Sequence, residues 1–189
     1  MGSPQGEPER RGATLRDYIE TTVAAVLLAV IVMVFVGRAF TVDGPSMLPT
    51  LQGGERLLVD KLTYRFRPPQ RGEIIVFRYP AEPSHYFIKR VIGLPGDTVE
   101  IRGGTVYVNG IALVEEYVRD RTLGNYGTYV VPPDHYFVLG DNRNNSQDSR
   151  SPSVGYVPRS YIVGRALLRY WPMDRLAFLV APRSANAAP

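Results

Sequence analysis

Hydrophobic and polar positions change their pattern sharply along the chain. Residues 21–37 (TTVAAVLLAVIVMVFVG) carry no charge and are apolar on every face, between Glu20 and Arg38. At about 1.5 Å per residue such a run spans about 25 Å, a little under a hydrocarbon core of about 30 Å. Tyr18, Arg38 and Phe40 flank it, where interfacial aromatic and snorkelling basic side chains belong. The pattern predicts a helical membrane anchor over 15–40. A buried core helix and a cleaved leader are the other readings. A small domain has little use for a helix apolar all round. A leader should end in small residues, where this run has Val36-Gly37-Arg38-Ala39-Phe40.

From Thr41 on, the helical period disappears. Short runs rich in β-branched and aromatic residues recur between Gly and Pro. They predict strands at 56–60, 73–79, 86–92, 98–102, 105–109, 129–131, 136–139 and 161–171. Arg102-Gly103-Gly104 and Asn109-Gly110 are hairpin turns of the favoured kind. The expected fold class is mainly β: an antiparallel, barrel-like sheet domain over 41–181, preceded by one transmembrane helix, with 97–131 as a hairpin insertion. Residues 1–14 and 182–189 read as loose tails.

Composition narrows the chemistry. Among 189 residues there is no cysteine, so disulfides, thiolate nucleophiles and cysteine–zinc sites are excluded. The two histidines, His85 and His135, give no H-E-x-x-H pattern, and no metal site is expected. A net charge of +4 is spread along the chain, so nucleic acid is not an expected partner. Of 22 basic residues only Lys61 and Lys89 are lysines. Arg10, Arg11 and Arg16 precede the apolar run, while Arg38 and the more distant Arg56 follow it. That asymmetry predicts a single-pass protein of the cell membrane, with a cytoplasmic N-terminal tail and everything after Arg38 on the outside.

Three segments carry candidate chemistry. In Gly44-Pro45-Ser46-Met47-Leu48-Pro49-Thr50 two prolines stiffen the backbone around a serine, which fixes a hydroxyl but is also how an ordinary turn is written. In 86–92, strand alternation sets Phe87, Lys89 and Val91 on one face and Tyr86, Ile88, Arg90 and Ile92 on the other. Lys89 thus stands in an apolar row, in a chain that otherwise prefers arginine. Arginine stays protonated, whereas a desolvated lysine can lose its proton and act as a base. An edge-strand lysine reaching solvent is the plainer reading. The third segment, 140–150 (GDNRNNSQDSR), is polar throughout and reads as a loop. It lacks the ligand order and sixth-position glycine of a calcium loop, and Asp148 and Arg150 can pair within it.

Taken together these segments resemble the bacterial type I signal peptidases, a family of membrane-anchored serine–lysine proteases. Ser46-Met47-x-Pro49-Thr50 resembles the nucleophile box, 71–77 (RGEIIVF) the following strand box, 88–97 (IKRVIGLPGD) the lysine box, and Gly140-Asp141-Asn142-Arg143 with Ser146, Asp148, Ser149 and Arg150 the last box. The four stand in order behind an anchor and cover about 41–171. The resemblance implies an endopeptidase that removes signal peptides from exported preproteins after small residues, with Ser46 as nucleophile and Lys89 as general base. It further implies that Ser146 orients the Lys89 amine, that Asp148 and Arg150 brace the loop, and that Arg90 pairs with Asp141. Phe40, Val42, Met47, Leu51, Phe87 and Ile88 match positions lining shallow substrate pockets. One position departs: some members carry a hydroxyl residue two before the nucleophile, and here it is Gly44, leaving the oxyanion to backbone N–H groups. No cofactor is implied. The implied partners are preprotein signal peptides, the lipid bilayer and the export machinery. Three alternatives remain beside this reading: a histidine triad using His85 or His135, a relative that matures one dedicated substrate such as a pilin, and a non-enzymatic membrane-tethered β-domain.

Overall fold

A computed structural model describes residues 14–182, the side chains of 28–36 excepted. The tails expected at 1–14 and 182–189 lie outside the described residues apart from Thr14 and Pro182. The chain divides into two units, Met1–Phe35 and Val36–Pro189.

The first unit contains all but the last residue of helix α1 (Leu15–Val36). A reciprocal cap starts it: Thr14 N–H donates to Asp17 Oδ2 at 2.7 Å, and Asp17 N–H to Thr14 Oγ1 at 3.4 Å. Arg16 and Glu20 pair one turn apart at 2.8 Å. Among the described residues no helix is long and apolar enough to cross a membrane. The helix stops short of the expected end of the anchor at residue 40. Gly37 interrupts it, and alternation resumes in Arg38-Ala39-Phe40-Thr41, so that residues 37–41 pair as a strand.

The second unit is built of strands: β1 (Gly37–Thr41), β2 (Arg56–Asp60), β3 (Ile74–Tyr79), β4 (Glu82–Gly93), β5 (Thr98–Arg102), β6 (Thr105–Val108), β7 (Ile111–Ala112), β8 (Tyr126–Val130), β9 (His135–Leu139), β10 (Val157–Pro158), β11 (Ile162–Trp171) and β12 (Ala177–Phe178). A short helix α2 (Thr63–Phe66), which no apolar period announces, follows β2. Asp60 Oδ1 starts it by accepting the N–H groups of Leu62 and Thr63 at 2.8 and 3.1 Å.

The larger sheet runs β1-β2-β11-β3-β4-β9-β10, with β12 beside β11, and every pairing in it is antiparallel. Residues 98–130 supply a second sheet, β7-β6-β5-β8. The turns between β5, β6 and β7 use left-handed residues, Gly103-Gly104 and Asn109-Gly110. Ile92, Phe137 and Leu139 of the larger sheet share a core with Val99, Ile101, Val106 and Val108 of the smaller. Asp97 reinforces this junction, accepting from Leu94 N–H at 2.6 Å and Asn109 Nδ2 at 2.8 Å, with Arg71 at 3.1 Å. A second core packs Ile75, Phe77 and Val91 against Tyr136 and Val138. A third, of Val42, Met47, Leu51, Leu57, Ile74 and Ala166, lies under the loop that follows β1. That third core fixes where Ser46 points.

Candidate active site

Ser46 stands on the loop that leaves β1. Backbone bonds from Val42 N–H to Glu55 O (2.8 Å) and from Leu51 N–H to Met47 O (2.9 Å) close this loop on itself. Met47 and Leu51 are 1% and 0% exposed and fill the core beneath, which turns Ser46 outward, half-buried. Lys89 comes from β4, where it pairs with Ile75 of β3. Its row is apolar, Phe87 on one side and Val91 on the other, and the residue is 4% exposed. The Lys89 Nζ donates to Ser46 Oγ at 2.8 Å and to Ile88 O at 3.0 Å. Burial lowers the Lys89 amine to about 8, against the opposing pull of the Asp148 and Asp141 carboxylates. Packing thus delivers an amine that can be neutral near physiological pH, against a hydroxyl.

A groove of about 450 Å³ opens over this pair. Phe40, Val42, Phe87 and Ile88, expected as pocket residues, line it together with Gly44, Ser46 and Lys89. Met47 and Leu51, expected in the same role, do not: they sit behind the serine, in the core that anchors its loop. The groove lies between two strand edges left unpaired among the described residues, where β1 pairs only with β2 and β4 before Arg90 pairs only with β3.

The loop 140–150 packs against the serine loop. Asp148, fully buried, accepts from Gly140 N–H at 3.0 Å and from Arg150 Nε and Nη2, each at 2.8 Å. Asp141 receives the Arg90 guanidinium in a two-pronged pair, Nε to Oδ1 at 2.8 Å and Nη2 to Oδ2 at 2.6 Å. Asn142 N–H donates to Ser46 O at 3.0 Å. Gly140 is where the two loops touch. A Cβ there would lie 2.2 Å from Ser146 Oγ and 2.5 Å from Ser46 O, so only glycine fits. Ser146 is not joined to Lys89 by a hydrogen bond: its Oγ is buried and has no partner among the described residues. Gly44 borders the groove with φ +77°, and a Cβ there would meet nothing within 4 Å. Backbone conformation, not space, favours glycine there. No described backbone hydrogen bond uses the Ser46 N–H.

Neither histidine approaches this arrangement through a hydrogen bond. His85 faces Glu82 at 3.1 Å on the groove rim, and His135 Nδ1 lies 2.7 Å from Pro133 O. Sequence reasoning missed Thr50, whose Oγ1 donates to Asp141 at 2.6 Å, Tyr117 under Arg90, and Glu115 against Arg143. Thr50 lies within the serine-loop motif and was open to notice. Glu115 and Tyr117 carry no local signal.

A β domain that sets a serine hydroxyl against a shielded amine, in a groove open to an extended chain, has the parts of a serine hydrolase whose base is lysine. Comparison with known proteins gives a peptidase family. Residues 15–171 match the family described as "Signal peptidase, peptidase S26", and the chain belongs to it. A "Signal peptidase I" of Leptolyngbya laminosa is 46% identical over 96% of this chain and 92% of its own length. A "Probable signal peptidase I-2" of Synechocystis sp. is 48% identical over 85% and 75%. A signal peptidase I structure from Enterococcus faecalis V583 is 37% identical, covers 52% of this chain and 97% of its own, and superposes with a TM-score of 0.47.

Proposed function

We propose that the protein is a membrane-bound endopeptidase that cleaves signal peptides from exported preproteins after small residues, with Ser46 as nucleophile and Lys89 as general base. The observation that carries the assignment of these residues is the 2.8 Å separation of Lys89 Nζ and Ser46 Oγ with the amine 4% exposed.

Neutral Lys89 takes the Ser46 proton as Oγ attacks the scissile carbonyl. The resulting ammonium then protonates the leaving amine, which departs as the new N-terminus. Lys89, neutral again, activates a water that releases the acyl group from Ser46. The uncommitted Ser46 N–H supplies an oxyanion donor, a contribution worth about 3–4 kcal/mol where one has been removed elsewhere. Ser146 belongs to the same amine. An ammonium has three donors and Lys89 uses two, while the Ser146 hydroxyl is buried and unpaired. The Asp148–Arg150 pair holds the loop that carries Ser146.

A substrate laid along the free edges of β1 and β4 would gain backbone hydrogen bonds from both. Phe40, Val42, Phe87 and Ile88 leave shallow space beside such a strand, which suits small side chains before the cut. The apolar run 21–37 anchors the chain once in the cell membrane, the arginines before it remain cytoplasmic, and the β domain works outside. A site tied to the bilayer meets signal peptides there at raised local concentration, beside the export machinery.

Cleavage of a preprotein by the full-length chain in detergent tests the assignment. Ser46→Ala and Lys89→Ala are each expected to lose at least about 1,000-fold in kcat/KM. Lys89→Arg should fail equally, because arginine holds its proton. Ser146→Ala should be weakened but active. Substantial turnover by Lys89→Arg would remove Lys89 from the role of base.

A further inference from the structure

We infer that Glu115, on the irregular segment between β7 and β8, is a positioning residue for the Ser46–Lys89 pair and acts through Arg143; this rests on the catalytic reading of that pair. Arg143 belongs to the loop that faces the serine, and its side chain is 1% exposed. Both of its terminal nitrogens bond Glu115, Nη1 to Oε2 at 2.8 Å and Nη2 to Oε1. A planar guanidinium on a carboxylate is held in position and in angle. Arg143 passes that constraint on through its other polar groups. Its Nε donates to Gly140 O at 3.1 Å, and its carbonyl accepts from Arg150 Nη2 at 2.5 Å. Gly140 abuts Ser46 O and Ser146 Oγ, and Asn142 N–H bonds Ser46 O. Gly140 and Asn142 therefore meet the Ser46 carbonyl from the side opposite the core, on a loop that Arg143 holds from behind.

Glu115 also reaches the other half of the pair. Tyr117 Oη donates to Glu115 Oε1 at 2.7 Å, and the Tyr117 ring lies 3.9 Å from the Arg90 guanidinium carbon. Arg90 follows Lys89 on β4. One carboxylate thus ties the serine's supporting loop to the strand that carries the lysine. No residue of 113–125 lines the groove. Disturbing Glu115 should therefore slow the chemical step and leave substrate binding alone.

Steady-state cleavage of a preprotein peptide by the full-length chain, well below its melting temperature and normalised to titrated active sites, tests the inference. Glu115→Gln is expected to lower kcat about tenfold and to change KM less than about twofold. Tyr117→Phe keeps the ring on Arg90 and removes only the hydroxyl bond to Glu115, so kcat should fall about two- to threefold. If Glu115 acts chiefly through Arg143, adding Glu115→Gln to Arg143→Met should cost no more than the two- to threefold carried by Tyr117. Unchanged kcat per active site in both single variants, whatever their melting temperatures, overturns the inference, as does a loss confined to KM. If Glu115→Gln does not fold, the Tyr117→Phe result decides. Ser46→Ala in the same assay separates the two levels: full activity there rejects the catalytic reading itself, while an inactive Ser46→Ala beside an unaffected Glu115→Gln rejects only the role of Glu115.

Discussion

Lys89 and Arg90 sit side by side on β4, 4% and 3% exposed, and they have opposite fates. The Arg90 guanidinium meets Asp141 with two hydrogen bonds, gives a third to Gly72 O at 2.8 Å and lies on the Tyr117 ring. Its charge is matched and it works as a strut between β4 and the polar loop. Lys89 has a hydroxyl and a carbonyl for hydrogen-bond partners and the Phe87 ring at 5.1 Å, and among the described residues no carboxylate in contact. The two are equally buried, so what distinguishes them is the group itself and the partners it meets. The matched guanidinium builds the frame, and the unmatched amine beside it becomes a usable base. Arginine at 89 would defeat that arrangement, since its proton is not available to lose.

The largest stability effect should come from unmatching Arg90. Asp141→Asn keeps the side chain's shape and removes its charge, leaving a guanidinium buried beside a neutral amide. The expected loss is about 3–5 kcal/mol, read as a fall in the denaturant midpoint of the full-length chain in detergent. A change under about 1 kcal/mol would mean that Gly72 O and Tyr117 suffice to hold the charge.

Lys89 should respond with the opposite sign. Its amine falls from an ordinary 10.5 to about 8 on folding, and at about 1.36 kcal/mol per unit the buried ammonium costs about 3 kcal/mol at neutral pH. Lys89→Met removes that penalty at similar volume, so the variant should be the more stable at pH 7, by up to this amount. The sign reverses nowhere but the size changes with pH. Between pH 8 and 10.5 the unfolded chain binds the proton more tightly than the folded one, so the native protein gains stability as pH rises and the variant's advantage shrinks. Paired denaturation curves at pH 7 and pH 10 measure it. A variant less stable than the native chain at pH 7 would show that packing of the lysine stem outweighs the cost of its charge.

The same two residues show how far the sequence could be read. Lys89 was visible because β alternation sets it between Phe87 and Val91, and because the chain almost always chooses arginine. The Arg90–Asp141 pair was visible only through the resemblance, since 51 residues separate the partners and no local period connects them. The strands at 56–60 and 98–102 were legible to the residue from alternation between turn signals. Residues 37–40 were not, because a strand that continues an apolar run looks like more of the run. Met47 and Leu51 were placed in the substrate pockets by position along the motif. Once the loop closes through Leu51 N–H and Met47 O, both point inward and anchor Ser46 from below. Glu115 and Tyr117 lie in a segment with no period at all, and their partners, Arg143 and Arg90, are known only once the smaller sheet is placed on the larger. Local pattern finds groups whose neighbours on the same element give them meaning. It misses those defined by contact across the fold.

The last and smallest effect lies in the pH dependence of the rate. If Lys89 must be neutral to accept the Ser46 proton, kcat/KM should rise with pH through a limb centred on the amine of the free enzyme, about 8. With that centre, about one amine in eleven is neutral at pH 7 and half at pH 8, so the rate should climb about fivefold over that interval. Asp148 and Asp141 pull the amine upward, which keeps the limb from falling lower still. Initial rates on one preprotein peptide, from pH 6 to pH 9 in buffers of constant ionic strength, would locate the centre. A limb lying well below neutrality, or a flat profile, would assign proton removal to some group other than Lys89 and end the contrast between the two neighbours at the level of chemistry.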